Sequence, residues 1–229
     1  MRKIALVCLI ALSGCVTTTG GRQSSANVRK ATLTDEEVSR FVSVIEAVEP
    51  VAEQQCRTLT KGINCDFQIA IDERRNQAPN AFQTIDKTGR PYLVFNLPLI
   101  ETIRSHDELA FIVSHEAAHH IRNHRERTYR DARAGGLLKG ALGVLMGGDA
   151  GQVADAYSSG ADLGSRVYSK DYELEADALG TVITKRARFD PIKGMEYFSL
   201  LHDPGNEFLG THPPHAKRIE TVKRVNDGL

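Results

Sequence analysis

The chain has no excess of charge of either sign, no apolar run that reads as a full membrane span, and no internal repeat. Each absence removes a class of protein. With 29 basic residues against 29 acidic ones, there is no broad positive field of the kind that holds nucleic acid. A spanning helix needs about 20 consecutive apolar residues, and no such stretch is found. Without repeats, stacked solenoids and propellers drop out. Cysteine is scarce, with four in 229 residues, so the position of each one matters. The length suffices for one domain with a core of its own.

Two of the cysteines lie in the first 15 residues. Arg2-Lys3 and the apolar run 4–12 read as a secretory leader, too short to cross a bilayer. Leu12-Ser13-Gly14-Cys15 resembles a bacterial lipobox, in which the cysteine is lipidated and becomes the first residue of the mature chain. The resemblance implies a leader over 1–14, lipid on Cys15 and attachment to a membrane through it. An ordinary secretory leader with a chance cysteine is the plainer alternative. Without Arg2 and Lys3 the balance is 27 basic to 29 acidic, a charge of −2. Val16 stands where inner-membrane lipoproteins carry aspartate, so similarity to Gram-negative lipoproteins favours the outer membrane, facing the periplasm.

Residues 15–31, rich in Thr, Gly and Ser, read as a lipidated flexible tether with a reach on the order of 20 Å. The folded domain is expected over 32–229. Cys8 leaves with the leader, so Cys56 and Cys65 remain in an oxidising compartment, nine positions apart around the turn-like Lys61-Gly62-Ile63-Asn64. That arrangement predicts a disulfide joining the end of the first helix to the start of the first strand. Two free thiols are the alternative.

Thr34-Asp35-Glu36-Glu37 is a capping box, and Val38, Phe41, Val42, Ile45 and Val48 form an apolar stripe behind it. The helix is expected to run to about Leu59, with Pro50 inside it. Phe67, Ile69 and Ile71 alternate with polar residues as in a half-buried strand. A second strand ends near Ile85, Lys87-Thr88-Gly89-Arg90 turns, and a third strand covers 92–95, which together make a hairpin. Ser105-His106-Asp107-Glu108 is a second capping box, opening a helix expected to run to about Tyr129. Residues 134–148 are apolar and glycine-rich. They suit either a closely packed helical hairpin or a mobile flap at a membrane surface or cleft. Later helices are expected over 168–186, from Asp190-Pro191 to about Leu201, and after Pro213-Pro214, with Ile219, Val222 and Val225 inward.

The second of those boxes leads into the apolar 109–113 and then His115-Glu116-Ala117-Ala118-His119. On a helix, residues four apart point the same way, so the two imidazoles can grip one zinc ion. Glu116, one residue round, can reach a water on that ion and act as general base. A surface helix with scattered polar residues is the bland reading. It fits poorly after an apolar run, because buried polar groups without partners are costly.

Zinc needs a third protein ligand. The metzincin pattern puts it six residues after the second histidine, with a glycine between; Arg125 and Arg122 stand there and His124 is out of register. Glu173 and Asp177, four apart on a later helix, offer a ligand carboxylate and a partner for the outer nitrogen of a ligating histidine. A solvated acidic face is the alternative, and Glu175 is assigned to it.

Taken together, His115-Glu116-x-x-His119 and Glu173-x-Glu175-Ala176-Asp177-x-x-Gly180 resemble the gluzincin metallopeptidases of the HtpX and CAAX prenyl protease family. The likeness is closest to periplasmic BepA-like and lipoprotein members. Asn80-Ala81-Phe82, Ser165-Arg166 and Thr211-His212-Pro213 with Arg218 carry it further, over most of 34–228. The resemblance implies an α+β, zincin-like (gluzincin) fold, helix-rich with a small β-sheet beside the zinc-motif helix. It implies one Zn2+ per chain on His115, His119 and Glu173. Glu116 is then the base, Asp177 lies behind the ligands, and Arg218 either positions the adjoining loop through a carboxylate pair or is simply solvated. His212 would lie at the active site, either approaching the metal to keep the enzyme latent or stabilising the oxyanion. A loop histidine capping the last helix is the bland reading of it. The expected substrates are extended or unfolded envelope polypeptides, added as a strand along residues 92–96, with envelope assembly proteins as partners. A client-binding scaffold lipoprotein, and a closed structural zinc site with His212 as fourth ligand, are the competing readings. Nothing follows residue 229, so no C-terminal repeat domain is expected to recruit partners. His106, His120, His124, His202 and His215 show no partner pattern and are assigned to structure or surface.

Overall fold

Thr34 caps the first described helix. The structure, a computed structural model, describes residues 33–145, 170–200 and 215–229. The Thr34 hydroxyl accepts from the Glu37 N–H, and the Glu37 carboxylate accepts from the Thr34 N–H, so the reciprocal cap is present. Helix α1 (Asp35–Leu59) passes through Pro50 and buries Phe41, Val44, Ile45, Val48, Ala52 and Cys56. Val38 and Val42, expected inward, are 46% and 42% exposed. The apolar stripe is therefore rotated toward Val44, which still satisfies the 3.6-residue period.

Three strands follow: β1 (Gln68–Asp72), β2 (Ala81–Ile85) and β3 (Pro91–Asn96). Their order is β1-β3-β2, with β1 parallel to β3 and β2 antiparallel to it. In the β2–β3 turn Gly89 takes a φ of 81°, which a side chain would strain. The Asp86 carboxylate accepts from the N–H groups of Thr88 and Arg90 and fixes that turn. Leu93 and Phe95 face the helices, and Phe41 meets Phe95 edge-on at 5.5 Å.

Because β3 is the central strand, both of its sides are already paired. The expectation that a substrate adds along residues 92–96 is thus wrong, since strand addition needs free backbone groups. Among the described residues the sheet edges belong to β1 and β2.

Cys56 and Cys65 form a disulfide, with Cα atoms 5.6 Å apart, which ties the end of α1 to the lead-in of β1. Closing a loop this short is worth about 2–3 kcal/mol by the chain-entropy relation. Reductant should lower the unfolding free energy from urea titration by that amount and shift the midpoint down, with a slope equal to or steeper than before because the reduced unfolded chain is less compact. An unmoved midpoint would mean that other contacts hold the loop, such as the His120 Nε2–H donated to the Asn64 carbonyl at 2.7 Å.

Buried Asn96 caps the short α2 (Leu97–Thr102) by accepting from the Leu99 N–H. Helix α3 (His106–Ile121) follows, with Ser105 accepting from the Glu108 N–H. The expected second half of that cap is redirected: the Glu108 carboxylate takes the N–H and guanidinium of Arg104. From Glu108 to Ile121 every residue of α3 is buried except Glu116. A helix wrapped on all sides shows no polar stripe.

The helix does not run on to Tyr129. Asn123 adopts a left-handed φ of 55°, a conformation asparagine tolerates after a helix end, and a new helix α4 (His124–Leu145) begins. Helix α5 (Lys170–Arg186) packs along α3. Asp190 caps the single turn α6 (Pro191–Gly194), and a 3-10 segment Met195–Leu200 replaces the longer helix expected there. Asp107 at the start of α3 accepts from the Asp190 N–H at 2.8 Å, and α7 (His215–Asp227) closes the domain. Val222 is buried, whereas Ile219 and Val225 are half-buried.

No helix among the described residues is long and apolar enough to cross a membrane. The leader, Cys15, the tether, Ser165-Arg166, residues 202–209 and Thr211-His212-Pro213 lie outside the described residues, as does the glycine-rich stretch beyond the α4 backbone.

Candidate metal centre

The close approach of α3 and α5 makes the site. Gly180 faces the α3 backbone, and a Cβ there would lie 3.2 Å from the Cα and N of His115. The absent side chain lets α5 lie near enough for Glu173 and Asp177 to reach the α3 histidines. Both carboxylates are buried.

His115 Nε2 and His119 Nε2 are 2.9 Å apart. The Glu173 carboxylate spans them, 3.6 Å from His115 Nε2 and 3.5 Å from His119 Nε2. Among the described residues, these three form the His/Cys/Asp/Glu group whose ligand atoms converge as around a metal ion. A tetrahedral zinc with bonds of about 2.0–2.1 Å has ligand–ligand edges of roughly 3.3 Å. The three distances bracket that value, so the donor set fits.

Behind the donors stands a buried ion pair. Arg218 of α7 grips Asp177 bidentately, Nε to Oδ2 at 2.7 Å and Nη2 to Oδ1 at 2.6 Å, with its guanidinium 3.6 Å over the Phe198 ring. Asp177 Oδ1 also lies 3.0 Å from His115 Nδ1, off the line of an ideal hydrogen bond. The structure thus places Asp177 beside His115 and buries Arg218 against Asp177.

Electrostatics points to a demand for positive charge. Burial works against a proton on His115, but Asp177 and Glu173 outweigh it and lift the group to about 10. Burial, and the charge of His115 beside it, hold His119 well below the ordinary histidine range. Burial would raise Asp177, yet Arg218 keeps its carboxyl below the usual value. His115, His119 and Glu173 would hold a dication, whose charge would take the place of the His115 proton beside the Glu173 carboxylate.

Sequence reasoning missed a second layer. His124, assigned to structure or surface, is fully buried, and its Nδ1 lies 2.9 Å from His119 Nδ1. Glu175, assigned to a solvated face, pairs with Arg127 at 2.6 and 3.0 Å and lies 3.3 Å from His124 Nε2. The Arg127 hydrogen bonds hold Glu175 down at about 2, and burial pushes His124 down to about 4. The available signal was Asn123, a residue type that stops helices.

A cleft of about 380 Å³ opens beside His119, between the β2–β3 hairpin and the α3–α4 junction, lined among others by Asn64, Gln83, Ile85, Asn123 and Arg125. Gln83 and Ile85 of β2 line it together with His119, one of the three donors.

Comparison with known proteins agrees with this geometry. The chain is 26% identical over 198 residues to the mitochondrial metalloendopeptidase OMA1 of Saccharomyces cerevisiae, covering 80% of this chain and 53% of that protein. It is 27% identical over 148 residues to the beta-barrel assembly-enhancing protease of Escherichia coli, covering 58% of this chain and 30% of that one. The chain thus spans about half or less of the length of these relatives. The model of peptidase family M48 matches residues 40–226, and the chain belongs to that family of metal-dependent peptidases.

Proposed function

We propose that the chain is a zinc endopeptidase of the gluzincin type, in which His115, His119 and Glu173 hold the metal and Glu116 is the general base. The observation that carries this reading is the convergence of three ligand atoms beside Glu116, the one half-buried residue of the run 108–121. Zinc, when bound, supplies Lewis acidity for the scissile carbonyl and the attacking water. Glu116 takes the water proton and passes it to the leaving amine. Asp177, held by Arg218, orients His115, and the β2 edge takes the substrate as an extended strand above the cleft.

The envelope setting rests on Cys15 as a lipid anchor in the outer membrane, facing the periplasm. The likeness to a protein named for β-barrel assembly supports misassembled or unfolded envelope proteins as substrates and envelope assembly proteins as partners. His212 gates the site as a latch or serves the oxyanion.

Casein digestion tests the reaction class. The full chain should cut casein with zinc present and stop when a chelator removes it, with new N-termini detected by mass spectrometry. Cutting only by His212→Ala would establish a latent enzyme. Client protection without cutting by any form would favour the scaffold reading instead.

A further inference from the structure

We infer that His124, held by Glu175 and Arg127, is a positioning residue that sets the tautomer and orientation of His119. This rests on the reading of His119 as a metal ligand through Nε2.

The proton inventory runs one way. A neutral imidazole has one N–H and one lone pair. If Nε2 of His119 offers its lone pair to a metal, its proton is on Nδ1, which faces His124 Nδ1 at 2.9 Å. Two nitrogens at that distance need one donor and one acceptor, so His124 Nδ1 accepts. The His124 proton is then on Nε2, which lies 3.3 Å from Glu175 Oε2. Glu175 is in turn fixed by two hydrogen bonds from Arg127. In the reverse assignment His119 could not ligate through Nε2, and a His124 lone pair would face a carboxylate. Both ends of the chain of contacts select the same state.

The backbone supports the assignment. On a continuous helix, residue 124 would stand roughly 140° round from His119. The left-handed Asn123 breaks α3 and returns His124 to the ligand ring. Tyr172 stacks flat on His124 from α5, with centroids 4.9 Å apart and planes at 8°. Arg127 lies 4.0 Å from the same tyrosine ring. Tyr172 and Glu175 of α5 thus hold the His124 ring, and Arg127 of α4 braces both of them.

Two substitutions separate positioning from packing. His124→Phe keeps an aromatic ring against Tyr172 and removes the acceptor. His124→Asn gives up the ring and keeps an acceptor oxygen near the Nδ1 position. Zinc affinity of the full chain, measured by competition with a chromophoric chelator, should fall about 10–100-fold in His124→Phe and stay close to wild type in His124→Asn. A packing role predicts the opposite order, and His124→Phe binding zinc as tightly as wild type overturns the inference. His119→Ala in the same assay tests the underlying reading: undiminished zinc there refutes the ligand assignment, whatever the His124 variants do. Long-range 15N–1H spectra of the zinc-loaded wild type need no variant. They should show His124 protonated on Nε2 and bare on Nδ1; the reverse pattern also overturns the inference.

Discussion

Glu116→Gln should reduce casein cleavage by about 10²–10⁴-fold, the usual scale of general acid–base catalysis, while zinc stays bound. Glutamine keeps the size of the side chain and can still hydrogen-bond a water, but it cannot accept its proton. Glu116 is not among the converging ligand atoms, so metal binding has no reason to change. It is also the one half-buried residue of the otherwise buried run 108–121, so it alone in that run keeps partial access to solvent. The check is cleavage rate beside zinc content for both forms. Full activity in Glu116→Gln would refute the assigned base, and lost zinc would place Glu116 among the ligands.

The second large effect is on stability. Arg218→Leu should destabilise the fold by about 3–5 kcal/mol, because it strands a buried carboxylate. Arg218 and Asp177 are 4% and 0% exposed, so bulk solvent does not reach the carboxylate that the guanidinium leaves behind. Arg218→Lys restores charge but not the two-pronged geometry, so it should fall between. Adding Asp177→Asn to Arg218→Leu should return part of the loss, since the stranded charge is then gone. Urea titrations of the four forms measure this. A loss in Arg218→Leu no larger than at an ordinary surface site would contradict the account.

The same pair has a defined pH window. Arg218 depresses the Asp177 carboxyl below its unfolded value of 3.8. The stabilisation is therefore complete above that pH and is lost as the pH falls through the lower folded value.

What could be read before the structure was local. Thr34 with Glu37, the Gly89 turn, and the four-residue spacings of His115 with His119 and Glu173 with Asp177 are encoded within a few residues. Each survives in the fold because neighbouring residues decide it. The Cys56–Cys65 pairing needed only the compartment and a short loop.

The failures share a different cause. Strand order depends on residues far apart, so nothing within residues 92–96 reveals that β1 and β2 take both sides of β3. The face of α1 is chosen by what packs on it, which is why Val44 is inside and Val42 is not. Helix α3 hides its boundary because it is buried on nearly every side from Glu108 to Ile121, polar residues included, and the stop comes from one asparagine. The contacts of His124 and Glu175 could not be read for the same reason: their partners, His119 and Arg127, are supplied by the turn at Asn123 and by packing between helices.

The central claim is that His115, His119 and Glu173 together hold one catalytic zinc. Zinc bound per chain, measured at one buffered free concentration for wild type, His115→Ala, His119→Ala and Glu173→Ala, tests it most directly. The account predicts one zinc in the wild type and a large loss in each variant, with cleavage lost in step. Three variants that keep a full complement at wild-type affinity would contradict it and place any metal elsewhere in the chain.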